Sequence, residues 1–258
     1  MARANRFMQP GMIYHLTHRC HDRSFLLRFA RDRCEYRERL RQASKQFDVS
    51  LLDYCLTSNH THDIAMESWP GGISRMMQKL EGEFAGYYNR RKHRSGAFWE
   101  DRYHCTMIED GQHLLNCIQY VDLNMVRAGV VAHPAAWPWC GYAELVGQKT
   151  RYRLLDVERL LELLGIPDLE SFAEQYRTRI EQAIAEKRLQ REKRWTESIA
   201  VGSRSYVRGI AEAVRYRGRY KPRIEEAADG SWSLWETPSK YHSRQAVLSG
   251  DLPASPFN

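Results

Sequence analysis

The sequence lacks a long apolar run, a close cysteine pair and an apolar leader. No stretch of its 258 residues approaches the roughly 18 consecutive apolar residues that a membrane-spanning helix needs. The opening residues, MARANR, do not resemble a signal peptide, so we expect a cytoplasmic protein without a membrane partner. The six cysteines are scattered, with no CxxC pair, which predicts reduced thiols rather than a disulfide framework.

Positive charge is in excess. The chain has 39 Lys and Arg against 32 Asp and Glu, a net charge of +7, which favours a polyanionic partner without identifying one. Residues 87–94 (YYNRRKHR), followed by Phe98, Trp99, Arg102 and Tyr103, interleave cations with aromatic rings. Cations neutralise phosphates and rings stack on unpaired bases, so this stretch suits single-stranded nucleic acid. The same mixture of residues is equally expected if the cations lie at a solvated helix end and the aromatic rings pack in the core.

Short strands and helices alternate over the first 130 residues. The hydrophobic patterns and turn residues predict strands at 12–17, 50–55, 60–66 and 103–108, and helices at 32–47, from 72 onward and at 111–128. The order β-α-β-β-α-β-α predicts an α+β fold with a ferredoxin-like (RRM-like) antiparallel sheet and helices on one face.

The composition changes around residues 134–141, and we place a domain boundary near residue 148. Residues 1–148 then form the sheet domain and residues 149–258 a mainly helical, basic extension. Helices are predicted at 157–164, 169–194 and 203–214, and the last thirty residues lack periodicity and should be loosely ordered.

One candidate for chemistry is the sequence His60-Thr61-His62 within a predicted strand. Side chains alternate across a sheet, so the two histidines project to the same face and can share one divalent ion. An isolated pair of this kind is more often surface-exposed or simply hydrogen-bonded.

The second candidate is the helix that contains Tyr120 and Asn124. A four-residue step places both on one face, separate from the apolar stripe of Leu114, Ile118 and Val121. Tyr120 should therefore lie on a polar edge with Asn116 and Asn124, although an amphipathic packing role is also open.

Together these residues suit phosphoryl transfer. A phenol with a pKa of about 10 is a weak nucleophile at neutral pH, and a divalent metal beside the scissile phosphate would stabilise the transition state. Two imidazoles and the amide oxygen of Asn124 leave coordination positions open for phosphate and water. Attack by Tyr120 would give a covalent phosphotyrosine.

Five segments resemble REP-associated tyrosine transposases and their insertion-sequence relatives, the single-tyrosine HUH transposases. They are residues 10–19 (PGMIYHLTHR), 95–103 (SGAFWEDRY), 120–131 (YVDLNMVRAGVV), 137–142 (WPWCGY) and, in longer members, 195–203 (WTESIAVGS). The resemblance covers about residues 6–145 well and the remainder thinly.

The resemblance implies an HUH nuclease domain that cuts and rejoins single-stranded DNA, often beside hairpins or palindromic repeats, through a 5′-phosphotyrosine. Tyr120 matches the nucleophile, His60 and His62 match the metal histidines, and Asn124 occupies the position of the third ligand to Mg²⁺ or Mn²⁺. Relatives include single chains and dimers, so a homodimer is open, and a DNA partner implies association with the nucleoid.

Charge and position suggest DNA contacts. The residues are Arg6, Arg19, Arg90, Arg91, Lys92, Arg94, Arg102 and Arg127.

Two other functions compete with this hypothesis. His15-Leu16-Thr17 and His104-Cys105-Thr106 resemble the HxT pairs of metal-independent two-histidine phosphoesterases. A domesticated, non-catalytic protein that binds single-stranded nucleic acid would keep the basic surface and show no covalent product.

Overall fold

The computed structural model describes residues 8–216 and 222–236. The first half contains β1 (Ile13–Arg19), α1 (Ala30–Gln46), β2 (Val49–Leu56), β3 (His60–Glu67), α2 (Gly72–Lys92), β4 (His104–Ile108), α3 (Gln112–Asp122) and α4 (Asn124–Arg127). The second half contains α5 (Tyr142–Leu145), α6 (Val157–Leu164), α7 (Leu169–Ala185), α8 (Arg194–Glu197), β5 (Ala200–Gly202), α9 (Arg204–Tyr216), β6 (Pro222–Glu226) and β7 (Trp232–Glu236). None of the helices in these ranges is long and apolar enough to cross a membrane.

The first four strands form an antiparallel sheet in the order β2-β3-β1-β4. This is the ferredoxin-like arrangement, so the predicted α+β class is confirmed. Thr17 of β1 lies opposite His62 on one side and His104 on the other. The central position of β1 therefore brings the histidines of three strands to one region of the sheet.

Strand alternation divides β3 between the two faces of the sheet. Asp63 lies near Glu81 of α2, so α1 and α2 cover that face as predicted. His62 lies on the other face, where its ring contacts Asn124 of α4. The helix that carries Tyr120 therefore covers the opposite face, and the sheet has helices on both sides.

Residues beyond 148 extend the same sheet. β5 pairs with β4 in parallel, and β7 and β6 follow, which gives seven strands in the order β2-β3-β1-β4-β5-β7-β6. α6 was predicted at its observed bounds, whereas the predicted helix 169–194 ends at Ala185, just before Lys187 with a φ of 53°. β7 falls within the segment expected to be loosely ordered.

α7 is anchored to the helix that carries Tyr120. The Tyr176 hydroxyl donates a 2.7 Å hydrogen bond to the buried Asp122 carboxyl at the end of α3. The sheet and the core are thus continuous across the predicted boundary near residue 148.

Candidate functional site

His60 is oriented by the turn between β2 and β3. Its Nδ1 lies 2.7 Å from Asn59 Oδ1 and 2.9 Å from Thr57 Oγ1. The Asn59 oxygen can only accept, so Nδ1 carries the ring proton. The Nε2 lone pair is therefore available to bind a metal.

His62 lies on the same face with its ring centre 4.9 Å from that of His60. Its Nδ1 is 2.9 Å from His15 Nε2, and its Nε2 is 2.9 Å from Asn124 Nδ2. The structure thus brings together three residues that the sequence analysis selected as metal ligands, and places beside them His15, which it selected only for the HxT pair.

Both candidate metal histidines are neutral at physiological pH. Burial lowers the pKa of His60 to about 4, with a further contribution from Arg19 and two other arginines. Burial likewise holds the pKa of His62 well below its ordinary value, and His60 lowers it further. A neutral imidazole is the form that binds a metal ion.

Tyr120 lies beside these histidines. Its ring centre is 6.2 Å from that of His62, and the residue is only 6% exposed. The expected polar edge is therefore a buried position under the sheet. Asn116, expected beside Tyr120, instead accepts hydrogen bonds from Arg179 and Gln112.

Arg127 lies over the phenol ring of Tyr120. Its guanidinium carbon is 4.1 Å from the ring centre of Tyr120, and its Nη2 donates a 2.9 Å hydrogen bond to the Tyr120 carbonyl. Burial raises the pKa of Tyr120, and Arg127 and Arg191 lower it. Because burial is the largest effect, the hydroxyl is protonated at neutral pH.

The donor set fits a divalent ion. No three His, Cys, Asp or Glu side chains in the described ranges group as a metal site, so a third ligand must be of another type. Asn124 would be that ligand if its amide rotated, because rotation brings Oδ1 to the position next to His62 Nε2. Two neutral imidazoles and an amide oxygen are suitable ligands for a first-row ion such as Mn²⁺.

The two HxT histidines share this face but are engaged by the C-terminal part of the chain. His15 Nδ1 lies 2.8 Å from the Trp195 carbonyl oxygen, and His104 Nε2 lies 2.9 Å from the Ser198 carbonyl oxygen. His15 is fully buried, and both of its ring nitrogens have partners. A two-histidine phosphoesterase needs these rings open to a phosphate, so the geometry does not favour that hypothesis.

The candidate DNA-contacting cations that the structure describes fall into three groups. Arg19 lies opposite His60 across the β1–β3 pair, and Arg127 lies over Tyr120, so both border the site. Three further candidates, Arg90, Lys92 and Arg102, are exposed elsewhere on the surface. Arg6 lies outside the described residues.

The remaining two cations have internal roles. Arg91 pairs with the buried Asp32, and Arg94 donates to the Asn89 side chain and the Ala97 carbonyl. Tyr88 and Phe98, from the same cation-rich stretch, belong to a buried cluster of aromatic rings. These rings therefore pack in the core and are not available to stack on bases.

Sequence reasoning did not select Trp195, Phe25 or Phe29. The Trp195 ring is 1% exposed and its centre is 6.2 Å from that of Tyr120. Phe25 and Phe29 are 66% and 53% exposed, and the Lys92 ammonium lies 4.7 Å from the Phe29 ring centre. No local pattern distinguishes an exposed phenylalanine from a core one, since the difference arises from tertiary packing.

The fold and site together define a ferredoxin-like domain with a histidine pair on its sheet and a tyrosine on the covering helix. Residues 8–124 match the family model described as IS200-like transposase. No curated protein matches the chain.

Two solved structures are similar. A REP-associated tyrosine transposase bound to a REP hairpin shares 17% identity with a TM-score of 0.50, over 60% of this chain and 90% of that one. A protein from Deinococcus radiodurans R1 described as a transposase shares 17% identity with a TM-score of 0.34, over 46% and 93% of the two chains. The first of these supports the fold.

Proposed function

We propose that this chain cleaves and rejoins single-stranded DNA next to hairpins, through a covalent 5′-phosphotyrosine on Tyr120 and with Mg²⁺ or Mn²⁺ as cofactor. One observation carries the proposal. His60, His62, Asn124 and Tyr120 meet on one face of the sheet, although they come from β3, α3 and α4.

The reaction follows from the donor set and the nucleophile. A divalent ion held by His60, His62 and Asn124 would polarise a phosphoryl oxygen of the scissile phosphate. The Tyr120 oxygen attacks phosphorus, the bond from phosphorus to the 3′ oxygen breaks, and the phenol proton passes through solvent to that leaving oxygen. The products are a 5′-phosphotyrosine and a free 3′-hydroxyl, and the reverse attack rejoins a strand.

Arg127 and Arg19 have supporting roles in this proposal. Arg127 lies against the Tyr120 ring, so its charge favours the developing phenolate. Arg19 lies beside His60, where a guanidinium suits a flanking phosphate.

A second DNA contact is proposed at the loop of residues 20–29. This loop is tied to the turn before His60, because Cys20 N and Leu27 N donate to the carbonyls of Asn59 and Ser58. Phe25 and Phe29 are exposed there near Lys92 and Arg28. Exposed rings among cations suit unpaired bases and their phosphates.

Replacement of Phe25 and Phe29 by serine should weaken binding of a single strand by about 30-fold or more, since stacking on each aromatic ring contributes about 1–3 kcal/mol. Fluorescence anisotropy with a labelled single strand measures the effect. Tyr152→Ser is the matched control, because Tyr152 is 88% exposed and distant in sequence from this loop. Equal losses in both variants would contradict a specific stacking role.

The four site residues lie in one chain, so the proposed chemistry does not require a second subunit. A homodimer would then serve DNA binding or the joining of two ends. The hairpin bound to the REP-associated tyrosine transposase supports a DNA partner for this chain at the level of the fold.

The direct test is covalent capture. The purified chain is incubated with a library of labelled single-stranded hairpin DNA and Mn²⁺, and the products are resolved on a denaturing protein gel. We expect a labelled band that disappears with EDTA and in Tyr120→Phe. Tyr88→Phe should retain it, because Tyr88 is also 6% exposed but lies in the ring cluster with Phe98.

Two outcomes would contradict the proposal. DNA binding without any adduct would favour the non-catalytic binding protein. Product without an adduct in the presence of EDTA would favour the two-histidine mechanism with His15 and His104.

A further inference from the structure

A continuous set of hydrogen bonds leads from the C-terminal part of the chain to the site. The Trp195 carbonyl oxygen lies 2.8 Å from His15 Nδ1, and His15 Nε2 lies 2.9 Å from His62 Nδ1. His62 Nε2 in turn lies 2.9 Å from Asn124 Nδ2. The three side chains are at most 9% exposed, so water does not compete freely for these contacts.

The donor and the acceptor of each hydrogen bond can be assigned by starting from the Trp195 carbonyl. A main-chain carbonyl only accepts, so the Nδ1 of His15 must carry a proton. His15 is fully buried and its ring contacts a carbonyl and an imidazole rather than a carboxylate, which makes a charged ring costly. Its Nε2 is therefore an acceptor, and the Nδ1 of His62 must donate to it.

The same assignment agrees with the hydrogen bond between His62 and Asn124, at the other end of this series of contacts. With its proton on Nδ1, His62 has a lone pair on Nε2, and the Asn124 amide N–H can donate to it. The lone pair then points to the position that the proposed metal would take. His60 reaches the same state by a separate route, through Asn59 Oδ1.

We propose that His15, held by the Trp195 main-chain carbonyl, is a positioning residue that fixes His62 in the tautomer whose Nε2 binds the metal. This inference rests on the proposed function. It also makes residues near 195 part of the active site, although they lie outside the range 8–124 that matches the family. Hydrogen-bond partners of this kind commonly orient metal-bound histidines.

The Trp195 carbonyl is itself firmly placed. The Trp195 ring is buried beside Tyr120, and Arg194 pairs with Asp229 in the loop before β7. Downstream, Met107 N donates to the Ile199 carbonyl, and β5 joins the sheet. The acceptor for His15 therefore depends on the strands added by the C-terminal part.

The test combines two variants at one position. His15→Leu fills a similar volume without an acceptor, whereas His15→Gln offers Oε1 to the Nδ1–H of His62. In the full chain without metal, long-range ¹⁵N–¹H spectra of the histidine rings report the tautomer of His62. We expect the Nδ1–H form in the wild-type chain and in His15→Gln, and a shift towards the Nε2–H form in His15→Leu.

Metal affinity provides the second readout. Titration with Mn²⁺ alone, followed by electron paramagnetic resonance, should show a Kd increased about 10–100-fold in His15→Leu and largely restored in His15→Gln. His104→Leu is the matched control, because His104 contacts the Ser198 carbonyl of the same segment, whereas His15 is the histidine hydrogen-bonded to His62 Nδ1. It should bind Mn²⁺ as the wild-type chain does.

The inference is overturned if wild-type His62 carries its proton on Nε2, or if His15→Leu and His15→Gln bind Mn²⁺ equally. Thermal unfolding of each variant separates loss of fold from loss of ligand orientation. Failure of the wild-type chain to bind Mn²⁺ would contradict the proposed metal site instead, because the tautomer is measured without metal.

Discussion

At the scale of single residues, Tyr120 and Arg127 have the most direct consequence for chemistry. Burial disfavours the phenolate of Tyr120, whereas the guanidinium over its ring favours it. The proposed nucleophile is therefore kept protonated at rest but lies next to a cation that would stabilise the charge developing during attack.

Replacement of Arg127 by Gln should slow adduct formation by about tenfold at pH 7, since a partly buried cation–π contact contributes about 0.5–2 kcal/mol. Arg127 lowers the pKa of Tyr120, so its removal raises that pKa, and the alkaline limb of the pH–rate profile should move to higher pH. Single-turnover rates from pH 7 to 10 measure this. Arg127→Lys keeps the charge, so its rate of adduct formation should lie between those of the wild-type chain and Arg127→Gln. If Arg127→Gln instead bound DNA more weakly with an unshifted pH–rate profile, Arg127 would contact phosphate alone.

At the scale of elements, the segment that leads into α5 packs closely on β2. Gly141 N donates a 2.9 Å hydrogen bond to the Tyr54 carbonyl, and a Cβ on Gly141 would overlap the buried Asp53 carboxyl group. The glycine therefore permits the close approach that holds the 137–142 segment against β2.

Gly141→Ala should lower the free energy of unfolding by about 1–3 kcal/mol, because the added methyl group must displace buried atoms. Urea unfolding followed by circular dichroism measures the change. Gly82→Ala is the control: Gly82 is exposed in α2 with nothing within 4 Å of an added Cβ, so alanine should raise stability by about 0.5–1 kcal/mol. Equal effects at the two positions would refute the packing argument.

At the scale of the whole molecule, the sheet connects the first 148 residues to the rest. β4 would become an edge strand without β5, and Asp122 would lose the hydroxyl of Tyr176. The carbonyls that hold His15 and His104 also come from the later part of the chain.

A fragment of residues 1–148 should unfold at a lower temperature than the full chain and with lower cooperativity, because it lacks β5 and the Tyr176 hydroxyl. Thermal unfolding by circular dichroism and calorimetry tests this. Tyr176→Phe in the full chain removes one hydroxyl only and should cost about 1–3 kcal/mol, because it leaves a buried carboxyl group short of a donor. A fragment with the Tm of the full chain would favour two independent domains.

Local patterns predicted much of the fold. The four strands and three helices of the first half follow from alternation, helical spacing and the glycines at 71–72, 111 and 129. β5 was not predicted, because a three-residue strand carries too little pattern and forms only beside the edge of β4. The exposed Phe25 and Phe29 likewise have no local signature.

The sequence by itself determined that His60 and His62 share a face of one strand, because side chains alternate along a strand. It also predicted one helix over 111–128 with Tyr120 and Asn124 on one face, whereas in the structure α3 ends at Asp122 and α4 begins at Asn124. Only the tertiary structure decided that the two faces meet, and that His15 and Trp195 lie beside them. Such contacts join residues up to 180 positions apart in the chain, and their formation depends on the pairing of strands and the packing of helices.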